Sequence, residues 1–345
     1  MIVLGIETTC DETGVALVRD GHEILLNLVA TQEVHEVYGG VVPELACRRH
    51  IDVLAPMVEK ALAIAKPDLI AVAHAPGLIG ALLIGLNFAK ALSLGSGIPF
   101  VGVNHIEAHL YAAMMGHDVP LPALGVVLSG GHTELLYIEK LGHYKLIGKT
   151  QDDAIGEAFD KTAKLLDLPY PGGPEVEKLA KRGTPCYPFK AGRVKKNPFA
   201  FSFSGLKTAV LYQVKGQDGN KRDKSALTDE EKANIAASFQ ETALRDVAHK
   251  AIRASQQFST RSIVLGGGVT CNQRLRALLE ESANIPLFFP PPGLSLDNGA
   301  MIAGLGYHQF MAKGGDALDL EPKPRTELYE KSAFSFSAHT HSMPT

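Results

Sequence analysis

Residues 4–26 read LGIETTCDETGVALVRDGHEILL, and residues 124–148 read LGVVLSGGHTELLYIEKLGHYKLIG. Each opens on an apolar strand, breaks at a tip of small polar residues and returns as a second strand. Each then breaks again at a Gly-His pair, Gly21-His22 in the first and Gly142-His143 in the second. Apolar runs bounded by turns of this kind are hairpin signals. A spacing of about 120 residues is too long for a solenoid unit. It predicts two similar α/β halves facing each other, residues 1–118 and 119–325, with a tail at 326–345.

Working outward, the glycines of VYGGVVPE predict a helix over 43–65, with Leu45, Ala46, Leu54, Met57, Val58 and Leu62 on a helical period. The longest apolar run, 69–86, is long enough for a membrane span, but His74, Pro76 and glycines interrupt it. It reads as a buried strand over 69–73, a turn and a helix over 79–93. A short strand at 100–103 leads into a helix carrying two histidines. Beyond the second hairpin, AIGEAFDKTAKLLDL reads as a helix and YPGGPEVEKLAKRG as a turn and a helix. Thr228 and Glu231 have capping-box spacing at the head of a helix reaching about residue 256. A strand at 262–265 ends in three glycines. A helix at 272–282, a strand at 286–289 and a helix at 298–311 follow.

The chain has 345 residues, beyond what one core usually serves. Its net charge of −3 excludes a global attraction to nucleic acid, so such a partner needs a local patch. Cys10, Cys47, Cys186 and Cys271 are scattered with no CxxC, which argues against a zinc ribbon or a disulfide framework and suits a reducing compartment. No basic leader with an apolar h-region opens the chain, so a cytoplasmic protein is expected.

Chemistry concentrates in four places. In VGVNHIEAHL (101–110), His105 and His109 stand four apart, about 400° on a helix, and share one face. Two imidazoles make half of a first-row metal site. Asp297 in PPPGLSLDNGAMIAG is the candidate third ligand, with a role as N-cap of the following helix as the alternative. The HxExH string is not that of a zinc protease. Ile106 holds the position of the general base, and Glu107 lies about 200° round the helix from His105.

The hairpin tips come second. No GxxxxGK[ST] is present. The tips at Asp11–Gly14 and Ser129–Thr133, with the cluster Gly266–Gly268, offer N–H groups and hydroxyls to a phosphate. Asp11, at the first tip, is the candidate general base, with a turn-forming role as the alternative. Third, Asp160 and Glu177 are acids on helices beside small residues, suited to a ribose or an amino group or simply to the surface. Last, the segment 182–225 holds ten Lys/Arg against two acids, +8 in a chain of −3. With Phe189, Phe199, Phe201 and Phe203 interleaved, it reads as an RNA-contacting insert, with a solvated loop or a docking surface for a partner protein as the alternative.

Taken in order, GIETTCDETGVALV, GGVVPELA, NHIEAH, LSGGHTEL, GEAFDKTAKLL, YPGGP, FSFSGLKT, GGGVTCNQRLR and LDNGAMIAG closely resemble the bacterial tRNA N6-adenosine threonylcarbamoyltransferases, the TsaD family. The resemblance covers about residues 1–325. It implies the actin/Hsp70-like two-domain fold with duplicated α/β halves. It implies transfer of a threonylcarbamoyl group from threonylcarbamoyl-adenylate to the adenosine 3′ of the anticodon. The rival readings are an actin-like ATPase or kinase and a metallopeptidase. His105, His109 and Asp297 correspond to the family's metal ligands, for one divalent ion per subunit, iron first and zinc second. Val127, Leu128, Ser129, Gly130, Gly131, Asp160, Gly173, Glu177 and Asn272 correspond to its adenylate contacts. The implied partners are tRNA, a catalytically degenerate paralogue and a small P-loop ATPase. Val127 stands where archaeal relatives carry a tyrosine near the metal, so no phenolate ligand is expected.

Overall fold

The two related stretches fold into two related sheets. In the computed structural model, which describes residues 1–216, 227–326 and 328–329, β1 (Ile2–Glu7), β2 (Thr13–Arg19) and β3 (Glu23–Ala30) form an antiparallel meander. β4 (Leu69–Ala75) and β5 (Phe100–Asn104) extend it in parallel, giving the order β3-β2-β1-β4-β5. The second sheet repeats the plan with β6 (Ala123–Leu128), β7 (Thr133–Lys140), β8 (His143–Lys149), β9 (Ser262–Gly266) and β10 (Leu287–Phe288), in the order β8-β7-β6-β9-β10. The central strands β1 and β6 are almost wholly buried, as strands covered by helices on both faces must be.

α1 (Pro43–Ile64) and α2 (Ile79–Ser96) cover one face of the first sheet. Among the described residues α2 is long and apolar enough, by length and composition, to cross a membrane. Here it packs on α1 and β4 and buries Ala81, Leu82, Gly85, Leu86 and Ala89. The second half carries α4 (Ile155–Leu165), α5 (Gly172–Ala180), α6 (Ser204–Lys215), α7 (Asp229–Gln257) and α8 (Gln273–Ser282). The capping box at Thr228 and Glu231 forms as its spacing predicts.

Two helices join the halves. α3 (His105–Met114) leaves the end of β5 and packs against β6 and β9 of the other sheet. α9 (Gly299–Lys313), at the far end of the chain, packs on β1, β2, β4 and β5. The chain division at 118/119 therefore does not follow the packing of the sheets: the second half lends its last helix to the first. The reason is contact. Gly5 and Gly14 let the α9 backbone settle directly on β1 and β2, where a β-carbon on Gly5 would lie 2.1 Å from the Gly299 carbonyl oxygen.

The basic segment differs from its expectation. Phe199, Phe201 and Phe203 are fully buried in the core of the second half, and Phe189 packs on it beside Tyr187. They are core residues, not a surface for stacking RNA bases, and the apolar energy of burying them decides it. Part of the segment is the helix α6. Arg193, Lys195 and Lys196 do face solvent. Asp218, Lys221, Arg222, Asp223 and Lys224, and His339 and His341 of the tail, lie outside the described residues.

Candidate metal centre and active site

The metal helix begins where β5 ends. Asn104 caps it, its side chain accepting the N–H groups of Ile106 and Glu107. That cap fixes where the helix starts and so which way its histidines point. The rings of His105 and His109 sit 4.5 Å apart at 76°. Asp297 reaches them from the loop before α9: its Oδ1 is 3.0 Å from His109 Nε2 and 3.7 Å from His105 Nε2. The three ligand atoms lie within 4.8 Å of one another. Asp297 is not the N-cap of α9. Asn298 does that work, accepting the Met301 N–H, and this leaves the Asp297 carboxylate to the cluster.

The cluster has the geometry of a cation site. His109 is 1% exposed, yet neither ring nitrogen has an aligned hydrogen-bond partner. A buried polar group left so costs about 1–3 kcal/mol. A metal ion accepting the imidazole lone pair removes that deficit, so these three side chains fit one. The charges agree. Burial pulls the His105 imidazole down, but Glu7 and then Asp297 outweigh it and push it up to about 9. Burial works equally against the Asp297 carboxylate, but His105 and His109 hold it below the ordinary carboxylate range. The buried Glu7 and the half-buried Asp297 carboxylates against two imidazoles call for added positive charge, as protons or as a metal.

Behind His105 stands Glu7, the last residue of β1 and fully buried. Its Oε2 is 3.0 Å from His105 Nδ1, and its Oε1 accepts the Thr9 N–H at 2.6 Å. A carboxylate on Nδ1 holds the proton there and turns Nε2 toward the metal position. Sequence reasoning missed Glu7. Its signal is a lone acid at the end of a buried strand, IVLGIE.

Glu107 turns away from the ligands. It accepts hydrogen bonds from Tyr144 Oη at 2.8 Å and Gln309 Nε2 at 3.2 Å, tying α3 to the second hairpin and to α9. A carboxylate so engaged is not the base of a metallopeptidase.

A cavity of about 680 Å³ opens over the cluster, between the two tips. Asp11 and Glu12 enter it from the first hairpin, and Ser129, Gly130, Gly131 and His132 from the second. Glu12 is also new. Burial first, then Asp297 and Asp11, push its carboxyl up to about 9. The second tip is tight. The Ser129 N–H donates to the His132 carbonyl at 2.8 Å, and Ser129 Oγ accepts the His132 N–H at 3.1 Å. A β-carbon on Gly130 or Gly131 would meet nothing within 4 Å, so their surface is free for a ligand.

A second lobe of about 570 Å³ continues from this cavity through Asp11, Glu12, Gly130, Asp160 and Tyr170. Gly173, Glu177 and Asn272 line it. Asp160 Oδ1 accepts the Gly172 N–H, and burial raises its carboxyl. Glu177 accepts the Gln273 N–H at 3.0 Å. Asn272 caps α8 and donates to Gln240. The structure thus brings together Asp11, Ser129, Gly130, Gly131, Asp160, Gly173, Glu177, Asn272 and the metal triad. Val127 and Leu128, fully buried at the end of β6, line neither space.

A family model described as tRNA N6-adenosine threonylcarbamoyltransferase (TsaD) matches residues 23–304. A protein of that name from Protochlamydia amoebophila is 57% identical over 339 residues, 95% of this chain and 98% of the relative. One from Chlamydia felis is 50% identical over 321 residues, 91% of this chain and 93% of its own. Among solved structures, HypF from T. kodakarensis is similar with a TM-score of 0.59 at 15% identity, over 90% of this chain and 48% of that one. Component A of the (R)-2-hydroxyglutaryl-CoA dehydratase of Acidaminococcus fermentans has a TM-score of 0.51 at 17% identity, over 90% and 98%. At such identities these two speak for the fold alone, and that fold is the actin/Hsp70-like one.

Proposed function

The chain belongs to the tRNA N6-adenosine threonylcarbamoyltransferase family, and from that premise we infer that the seam between its halves is where transfer occurs. It is an acyltransferase that acts on tRNA. It moves the threonylcarbamoyl group of threonylcarbamoyl-adenylate to the N6 amine of the adenosine 3′ of the anticodon, in tRNAs reading codons that begin with A. The amine nitrogen bonds to the carbamoyl carbon. The bond from that carbon to the phosphate oxygen breaks, AMP leaves, and the amine gives up a proton. The donor is an activated mixed anhydride, so the protein has mainly to position, to balance charge and to exclude water.

The observation that carries this site is the convergence of the buried His109, His105 and the Asp297 carboxylate, whose ligand atoms lie within 4.8 Å of one another. These three would hold one divalent ion, iron first and zinc second, which when bound neutralises charge on the leaving phosphate oxygen. The adenylate lies in the lobe beyond the second tip. Gly130 and Gly131 face its phosphate, and Asp160 and Glu177 its ribose hydroxyls, with Gly173 and Asn272 beside them. Asp11 takes the proton of the attacking amine.

Arg193, Lys195 and Lys196 contact tRNA phosphates; they are exposed and have no ion pair among the described residues. The protein works in the cytoplasm with a degenerate paralogue and a small P-loop ATPase. Support for a protein partner is a set of exposed apolar side chains on α2, among them Leu83 and Leu94, which share a helix face.

The test is to incubate purified, metal-loaded protein and its partners with synthetic adenylate and unmodified tRNA, then to analyse the nucleosides by mass spectrometry. Threonylcarbamoyladenosine is expected. Phosphoryl transfer from ATP without nucleoside modification would replace this reading by a kinase.

A further inference from the structure

A third chamber, of about 420 Å³, adjoins the central cavity. It shares Pro76 and His132 with that cavity and no lining residue with the adenylate lobe. Pro76 and His132 therefore line both spaces. The His132 imidazole is held neutral, pushed down to about 4 by burial and then by His105 and His109.

Charge separates the outer spaces. Five acids line the adenylate lobe, Asp11, Glu12, Glu33, Asp160 and Glu177, of which Glu12 is held protonated by burial and its acidic neighbours, with no lysine or arginine among the described residues. Such a surface suits hydroxyls and repels a run of phosphates. The third chamber has the opposite character: Arg325, exposed at its mouth, and Lys149, whose Nζ donates to Tyr329 Oη at 3.1 Å, line it against one acid, Glu134. The basic loop adjoins the same edge. The Asn197 side chain donates to the Ile147 carbonyl at 2.8 Å, and the Phe201 N–H donates to the Lys149 carbonyl at 3.1 Å. The exposed Arg193, Lys195 and Lys196 belong to the loop that meets β8, whose last residue is Lys149, at Asn197 and Phe201.

We propose that this chamber is the acceptor port. A nucleotide splayed from a single-stranded RNA loop enters past Lys149 and Arg325, and its base reaches the metal cluster beside His132. The port rests on the functional reading above and adds to it a route. Its volume is that of a small-molecule site, and unstacked loop bases are the part of RNA that proteins read in pockets. Two substrates sharing one opening would obstruct each other. Separate openings let the adenylate stay in the acidic lobe while the RNA backbone remains on the basic edge.

The port is tested by steady-state transfer with saturating synthetic adenylate, the metal-loaded enzyme and its partners. Arg325→Glu reverses an exposed charge at the mouth, and Thr326→Trp narrows it. Arg325→Glu should raise the KM for tRNA about tenfold and flatten its salt dependence by about one unit of slope. Thr326→Trp should lower transfer to tRNA at least as far. Adenylate affinity, measured by titration without tRNA, should stay unchanged in both. Wild-type KM for tRNA and wild-type salt slope in both variants would overturn the port. So would a defect confined to assembly with a partner subunit, which would make this edge a protein contact. If the wild-type enzyme modifies no tRNA at all, the functional reading fails rather than the port.

Discussion

The two hairpin tips occupy matching places in a duplicated scaffold and carry opposite chemistry. β1 and β2 close at Glu7 opposite Gly14, and β6 and β7 close at Leu128 opposite Thr133. The first tip brings in Thr9, Asp11 and Glu12, with Glu7 behind them. The second brings in Ser129, Gly130, Gly131 and His132. One tip is acidic, and Glu7 behind it orients His105. The other offers open backbone to an anion. Duplication supplies two matching tips whose residues differ: carboxyls on one side, open glycine backbone on the other.

The largest effect should come from the acidic tip. Asp11→Asn should lower kcat for transfer by about 10²–10⁴, the usual worth of a positioned proton acceptor, with adenylate affinity nearly unchanged. A variant keeping half of the wild-type kcat would remove Asp11 from this role. The scaffold itself is asymmetric at a pair of related glycines. A β-carbon on Gly5 meets the backbone of α9, which cannot move aside, whereas one on Gly125 lies 3.1 Å from the flexible ends of Ile138 and Leu110. Denaturant unfolding should show Gly5→Ala destabilised by about 3 kcal/mol or more and Gly125→Ala by about 1 kcal/mol. Equal losses would mean that α9 is not seated as described.

Glu7 sharpens the same contrast from behind. Glu7→Gln keeps the shape but lets the proton on His105 Nδ1 go, and metal affinity should fall about 10- to 100-fold. Unchanged affinity in a metal titration would leave Glu7 a merely structural acid. The smallest effect belongs to the glycine tip. Gly131→Ala should weaken adenylate binding about tenfold, roughly the loss of one hydrogen bond to a charged group. The fold should be untouched, since the added carbon meets no protein atom. A shift in melting temperature without a change in affinity would contradict that.

Much of this was legible in the chain because it is local. The histidine spacing, the capping box and the strand-tip-strand pattern each depend on residues within a few positions of one another, and the structure has them. What was not legible depends on the other half of the molecule. Nothing near Asp297 says that Asn298, not Asp297, will cap α9. Nothing in residues 299–313 says that the helix crosses to the first sheet. Glu7 is oriented on a histidine 98 positions away. The phenylalanines of the basic segment show the limit most plainly: charge kept Arg193, Lys195 and Lys196 in water, but residue type could not tell whether Phe199, Phe201 and Phe203 faced RNA or the core.

The most direct test is metal content and transfer activity measured together on Asp297→Ala and His109→Ala, with far-ultraviolet circular dichroism as the check of folding. The account predicts folded proteins that lose bound metal and transfer to tRNA in parallel, by about a hundredfold or more in rate, as loss of a principal electrostatic group does. Folded Asp297→Ala protein with full metal and full transfer would contradict it.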